Sequence, residues 1–444
     1  MSQAVSTLLR GKSALVGLWQ QCRRHSSQPP NPTQFAFTSV PNVRVRRGAA
    51  EDVASALQPY GLPKQATVLI VTDAFCHTSG LISPATTALR SAGYEVRVFD
   101  AVIPDPPESI IIDAIDLAKE HDAKAVVGMG GGSSMDVAKL CAYFTTAATQ
   151  CIDDDTAYGV NLLTERRRLP LVQIPTTAGT GSEATGVSIV TVQRDGVKAK
   201  KGVVSSELVA DAALLDGTLL AGLPAEHVAF AGVDAIIHAV EAATSFRLKN
   251  HMSDSLATRA LQLMSESLVP AVAGAGTAGE EADAYRETQL VGSYLAGLAF
   301  GNAPVAAIHA LAYPIGAFAK DDAPYPKGVP HGLSVSLMSA PVMRYNAEHS
   351  AWARDIYANE LLPHVHPSAL QGVERADDGA EHFVRVYESI ARQCNVPSRI
   401  SGVGIRGDDV ASLAEQSQLQ TRLLVNNPVA VDEDTARLLY VAVL

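Results

Sequence analysis

Apolar residues occur in two kinds of run along this chain, and the change from one to the other falls near residue 220. In the first half they form short, unbroken stretches rich in β-branched residues. The clearest is Thr67–Thr72 (Thr-Val-Leu-Ile-Val-Thr), followed by Glu95–Phe99, Ala123–Val127 and Leu169–Ile174. Continuous apolar runs of this length predict strands buried on both faces of a parallel sheet. Between them lie stretches with helical spacing, at about 51–58, 85–92 and 107–120. Strand alternating with helix predicts an open, mostly parallel sheet with helices on both faces. Val187–Gln193 and Lys198–Val204 read as a hairpin around Asp195-Gly196, and 35–37 with 43–45 as a short strand pair. From Leu223 onward the spacing is helical and β-branched runs disappear, so the second half is predicted to be all-helical. Pro224 suits the first turn of a helix, and Glu226 suits the positive end of its dipole.

A chain of 444 residues is long enough for two domains, because a single core stops growing near about 250–300 residues. Hydrophobic residues make up 47% of it, yet no apolar stretch reaches the roughly 18–20 residues of a membrane-spanning helix. The net charge of −11 hides an asymmetry. The first acidic residue is Glu51, and the segment before it carries Arg10, Lys12, Arg23, Arg24, Arg44, Arg46 and Arg47 among several serines. An Arg- and Ser-rich, acid-free, amphipathic start predicts a mitochondrial leader, and hence the mitochondrial matrix as the compartment. The acidic remainder argues against nucleic acid as a partner. Five cysteines, widely spaced and without a Cys-x-x-Cys pair, fit buried thiols better than a disulfide framework.

Candidate chemistry gathers in three places. Gly128-Met129-Gly130-Gly131-Gly132-Ser133 follows a predicted strand and opens a predicted helix. Such a turn lets the backbone approach a pyrophosphate at a helix N-terminus. Pro175-Thr176-Thr177-Ala178-Gly179-Thr180-Gly181-Ser182-Glu183 also follows a strand, and its hydroxyls suit phosphate and ribose oxygens. Two such loops at strand C-termini point to the ligand crevice of an open α/β sheet. Asp73 ends a strand where a ribose could lie, which favours NAD over NADP. The third place is in the helical half. Asp234 and His238 stand one turn apart on one helix face, with His309 and His331 following. An ionised aspartate in an apolar helix is costly without a cation. One carboxylate with three imidazoles suits a divalent metal such as Fe(II) or Zn(II). A metal and a cofactor cradle together suggest metal-assisted hydride transfer.

These motifs resemble the iron-containing (group III) alcohol dehydrogenase family. The segments that carry the resemblance are Gly-Gly-Gly-Ser-Ser-Met-Asp-Val-Ala-Lys, Pro-Thr-Thr-Ala-Gly-Thr-Gly-Ser-Glu, Asp-Ala-Ile-Ile-His-Ala-Val-Glu-Ala, His-Ala-Leu-Ala-Tyr-Pro and Pro-His-Gly. The resemblance spans roughly 36–444 and implies a dehydroquinate synthase-like architecture. That means an NAD-binding, Rossmann-like α/β domain over 31–221 and an all-helical metal-binding domain over 222–444, after a leader and linker over 1–30. It places the metal, iron with zinc as the alternative, on Asp234, His238, His309 and His331. NAD contacts fall on Asp73, Gly130, Gly131, Gly132, Ser133, Asp136, Thr176, Thr177, Thr180 and Lys200.

Many family members carry a second histidine four residues after the third ligand; here that position is Tyr313, a poorer proton relay at neutral pH. The His-x-x-x-Tyr-Pro variant and the leader resemble the hydroxyacid-oxoacid transhydrogenase branch. That branch implies hydride transfer from 4-hydroxybutyrate to 2-oxoglutarate through bound NAD(H), giving succinate semialdehyde and 2-hydroxyglutarate. Shorter segments at 243–253 and 319–329 depart from its animal members. The readings left open are a dehydrogenase of primary alcohols that releases NADH each cycle, a metal-dependent lyase of the same fold, and a catalytically inert binding protein. The family also implies a homo-oligomer. A carboxylate substrate calls for a cation near the site, and Arg247, Lys249, Lys320 and Lys327 lie near the ligand motifs in sequence.

Overall fold

The computed structural model describes residues 34–444, apart from 148–151, 153–156, 164–167, 195–196 and 321–322, with the side chains of 194, 197 and 198 also left out. The expected leader, Cys22 and Cys151, and the Asp195-Gly196 turn lie outside the described residues. Residues 36–444 form one compact unit.

Six strands build an all-parallel sheet in the order β1 (Asn42–Val45), β9 (Ala212–Leu215), β6 (Leu171–Pro175), β4 (Ala125–Gly130), β2 (Thr67–Asp73) and β3 (Glu95–Val102). The apolar runs become strands because both faces of the sheet are covered. Val68 and Ile70 point into one buried cluster, and Leu69 and Val71 into another. Helices α1 (Ser83–Ser91), α2 (Glu108–Glu120) and α3 (Gly132–Phe144) follow β2, β3 and β4. A second sheet has β5 (Gly159–Val160) parallel to β8 (Val197–Val204), which pairs antiparallel with β7 (Val187–Arg194), the expected hairpin.

Two expectations need correction. Residues 43–45 do not pair with 35–37; they run parallel to β9 at the sheet edge, with Val43 opposite Ala213. The strand β9 itself was not expected. Its sequence, Ala-Ala-Leu-Leu, lacks the β-branched signal, and only its position between β1 and β6 makes it a strand.

Among the described residues every element after β9 is helical. The principal ones are α4 (Ala225–Ala243), α5 (His251–Ala273), α6 (Glu280–Asn302), α7 (Ala307–Ala317), α8 (His331–His349) and α9 (Gly379–Gln393). The helix carrying His331 is longer than the predicted 333–343 and starts at His331 itself. Their shared core joins Val233, Ile237 and Val240 of α4 to Met264 of α5, Leu311 of α7 and Met338 of α8. No single helix among the described residues is long and apolar enough to cross a membrane. Cys76, Cys141 and Cys394 are free and buried, and burial pushes their thiols up to about 11, 12 and 12.

Candidate metal and cofactor site

The strand order places the crevice. The chain leaves β2 toward β3 on one side and returns to β4 on the other, so the loops after β2 and β4 part above the sheet at a topological switch point. Asp73 ends β2 and Gly130 ends β4. A Cβ on Gly130, whose φ is +153, would lie 2.6 Å from Ser134 Oγ and 3.3 Å from Asp73 Oδ2. One Asp73 oxygen, Oδ1, caps the following helical turn by accepting from the Cys76 N–H at 2.9 Å.

The second loop lies against the first. Thr176 donates its N–H to the Gly130 carbonyl at 2.9 Å. A Cβ on Gly131 would touch Thr177, and one on Gly132 would come within 2.8 Å of Thr180 Cγ2. Gly132 is the first residue of α3, with Ser133 after it in the same turn. Thr177 Oγ1 is buried without a hydrogen-bond partner. Bare glycine backbone at a helix N-terminus, faced by an unpartnered hydroxyl, is a cradle that fits a dinucleotide's phosphates.

Asp136 behaves differently. Its Oδ1 accepts from Lys139 Nζ at 3.3 Å and Ser182 Oγ at 2.5 Å, and its Oδ2 accepts from the Ile189 N–H at 2.8 Å. Both oxygens are engaged within the protein. Lys139 is fully buried and donates also to Ser182 Oγ at 2.7 Å, Thr185 Oγ1 at 3.3 Å and the Val187 carbonyl at 2.6 Å. Burial drives its ammonium pKa down while Asp136 opposes the drop. This pair ties α3, the threonine loop and β7 into one piece. The sequence alone gives Lys139, the last residue of the glycine motif, no role. Its signal was a lysine one turn after Asp136 on the same face.

In the helical half, α4, α7 and α8 bring Asp234, His309 and His331 into one group, with His238 outside it and its ring stacked on that of His309. Asp234 Oδ1 lies 3.5 Å from His309 Nε2, 3.7 Å from His238 Nε2 and 3.8 Å from His331 Nε2. Donor atoms of Asp234, His309 and His331 all lie within 4.8 Å of one another. Bonds of about 2.0–2.2 Å in tetrahedral geometry put neighbouring donors roughly 3.3–3.6 Å apart. Asp234 Oδ1 and His309 Nε2 are buried and have no hydrogen-bond partner. Two orphaned donor atoms facing each other at this spacing fit a cation between them. His331 keeps a third of its side chain exposed, so the group is open on that side.

The surroundings orient the rings. His238 Nδ1 faces the Gly179 carbonyl at 3.2 Å, which fixes the tautomer and leaves Nε2 free. Phe300 stacks on the same ring with centroids 4.3 Å apart. Glu241, one helical turn beyond His238, places Oε2 2.6 Å from His309 Nδ1, and its Oε1 accepts from the Ile308 N–H at 2.7 Å. Burial would raise the Asp234 carboxyl, but the three imidazoles hold it well below the usual range. Burial carries His238 down to about 4 and lowers His331 as well, the neutral form a metal ligand needs. In His309 burial is outweighed by Glu241 and Asp234, and the value rises to about 9. Sequence reading gave Glu241 no role, although it stands seven residues after Asp234 on the same face.

Glu241→Gln is expected to weaken metal binding by about 10–100-fold, because the carboxylate behind His309 sets that ring's orientation and basicity. Titration with a competing chelator measures this. Unchanged affinity would remove Glu241 from the site.

Tyr313 lies beside the ligands, its ring centroid 5.8 Å from that of His331. Burial pushes its phenol up to about 12, so it stays protonated at neutral pH. Lys200 Nζ sits 5.5 Å from the Tyr313 ring centroid and pairs with Asp105 at 2.6 Å.

The chain is similar to known proteins along most of its length. A family model described as iron-containing alcohol dehydrogenase matches 41–217, and its C-terminal counterpart matches 228–444. Long-chain-alcohol dehydrogenase 1 of Geobacillus thermodenitrificans is 34% identical over 84% of this chain and 89% of its own. The mitochondrial hydroxyacid-oxoacid transhydrogenase of Mus musculus is 28% identical over 95% of this chain and 94% of its own. Among solved structures, a 1,3-propanediol oxidoreductase superposes with a TM-score of 0.81 at 26% identity, covering 93% of this chain and all of its own.

Proposed function

The chain belongs to the iron-containing alcohol dehydrogenase family, and within it we propose that the protein moves hydride from a short hydroxyacid to an oxoacid through NAD(H) that stays bound. The observation that carries the chemistry is the orphaned Asp234 Oδ1, with three imidazole nitrogens 3.5–3.8 Å away. A divalent metal held by Asp234, His238, His309 and His331, iron in this family, would supply Lewis acidity to the substrate oxygen, and NAD held in the glycine and threonine cradle would supply hydride-transfer chemistry.

The chain's own groups set the geometry. Glu241 and the Gly179 carbonyl hold two of the imidazoles in register, and the Lys139–Asp136 pair holds both cradle loops together. Tyr313 keeps its proton at neutral pH, so it does not act as a phenolate base toward the proton released on oxidation. In the full cycle the carbinol carbon of 4-hydroxybutyrate loses a hydride and its hydroxyl a proton, giving succinate semialdehyde. The carbonyl carbon of 2-oxoglutarate gains a hydride and its oxygen a proton, giving 2-hydroxyglutarate. The His309-x-x-x-Tyr313-Pro motif and the likeness to the mouse transhydrogenase support this pair of substrates. The Arg- and Ser-rich first fifty residues support the mitochondrial matrix as the place.

Purified protein mixed with 4-hydroxybutyrate and 2-oxoglutarate, with no free NAD added, is expected to form 2-hydroxyglutarate. Nicotinamide released on denaturation is measured in parallel. Turnover that requires added NAD, with free NADH accumulating, identifies an ordinary alcohol dehydrogenase instead.

A further inference from the structure

A hydroxyacid substrate needs a cation where its carboxylate lies, and the basic residues flanking the ligand motifs do not supply one. Lys249 Nζ is taken by Asp254 at 2.6 Å and Glu360 at 3.2 Å, and Lys320 by Asp409 at 2.8 Å. Arg247 and Lys327 are exposed. The structure brings a different residue to the site.

Lys200 and Gly202 stand two apart on β8 and share one face of the strand. The guanidinium of Arg422 lies over Gly202. A Cβ there would sit 3.1 Å from one terminal nitrogen, 3.2 Å from the central carbon and 3.4 Å from Nε. The absent side chain therefore makes room for a flat cation on the strand face that also carries Lys200. Arg422 belongs to the helical turn Thr421–Leu424, which is fastened to the site's own helices. Asn426 donates its side-chain amide to the Val305 carbonyl at 3.0 Å, just before α7, and its carbonyl accepts from the Phe246 N–H at 2.7 Å, just after α4.

Both cations bear on Tyr313. Lys200 is answered by Asp105, whereas the Arg422 guanidinium has no carboxylate partner among the described residues. The Arg422 charge opposes the burial that raises the Tyr313 phenol, and Tyr313 in turn stands next to His331, the exposed ligand. A partly exposed guanidinium with its donors free, over the strand face that also carries the lysine packed on Tyr313, is suited to a carboxylate that it can grip with two parallel hydrogen bonds.

We propose that Arg422 binds the substrate's carboxylate, placing the hydroxyl end of the hydroxyacid at the Asp234, His309 and His331 group and its acid end beyond the Tyr313 ring over Gly202. This rests on the hydroxyacid reading above and makes Arg422 the residue that separates acids from plain alcohols.

Butyrate, which has the acid end and no hydroxyl, is the binding probe, measured by calorimetry with the intact protein. Arg422→Gln is expected to weaken butyrate binding about 10–100-fold, and Arg422→Lys to restore part of it. In turnover, the kcat/KM ratio of 4-hydroxybutyrate to 1,4-butanediol is expected to fall by a similar factor, carried by KM. The NAD dissociation constant, measured on the same variants, separates a carboxylate anchor from a phosphate contact. No butyrate binding by the unaltered protein, an unchanged ratio, or a loss of NAD affinity as large as the loss of butyrate overturns the assignment. Absent transhydrogenation alongside Arg422-dependent butyrate binding removes the transhydrogenase reading and leaves the anchor standing. Transhydrogenation with an unaltered KM in Arg422→Gln does the reverse.

Discussion

Asp234→Asn is expected to leave the protein folded, unable to retain its metal, and slower by about a thousandfold or more in kcat/KM. The substitution keeps the shape of the side chain and removes its charge. Asp234 Oδ1 lies within 3.8 Å of all three imidazole Nε2 atoms. A neutral amide there gives up the negative charge that favours a dication among the three imidazoles. A metal's polarisation of the reacting oxygen is worth several kcal/mol, and each 1.4 kcal/mol is about tenfold in rate, hence the size of the loss. Folding is expected to survive, because the amide keeps the size and shape of the carboxylate it replaces. Elemental analysis, a thermal melt with and without added Fe(II) or Zn(II), and steady-state rates test the claim together. The unaltered protein should melt higher with metal, and the variant should not respond. A variant that keeps stoichiometric metal and full activity would place the centre elsewhere.

Much of this site was legible in the sequence because helices repeat. Asp234 and His238 share a face by spacing alone, and the apolar helix around them made an unpaired carboxylate conspicuous. The parallel sheet was legible because its strands are buried on both sides and so read as unbroken apolar runs. What escaped was set by tertiary placement. Ala212–Leu215 is a strand only because two strands accept it between them. Glu241 looks like any helix glutamate until His309 and the Ile308 N–H are found against its two oxygens. Asp136 resembles a cofactor contact in its motif, yet Lys139, Ser182 and Ile189 occupy both of its oxygens. Arg422 lies about a hundred residues after Tyr313, and no local pattern announces that Gly202 was left bare to receive it.

The glycine after His331 makes a second demand on the metal centre, and Gly332→Ala is expected to damage fold and site together. A Cβ on Gly332 would lie 2.0 Å from the Phe230 carbonyl oxygen, 2.6 Å from its carbon and 3.2 Å from its Cα. All three are backbone atoms of α4, one turn before Asp234, so no side chain can swing aside. The start of α8 must move off α4, and His331 is the first residue of α8. The displacement therefore separates His331 from Asp234 as it opens the packing between the two helices. Overfilling a close-packed contact costs about 1–3 kcal/mol, and a clash with rigid backbone belongs at the upper end. Metal affinity is expected to fall at least about tenfold even in the folded fraction, since one donor is pulled from its place. Gly222→Ala is the matched control, because a Cβ there meets nothing within 4 Å. Urea unfolding and metal titration of both variants decide the matter: the control should match the unaltered protein, and Gly332→Ala should lose both stability and metal. If Gly332→Ala binds metal as tightly as the control does, the close approach of α8 to α4 is not what positions His331.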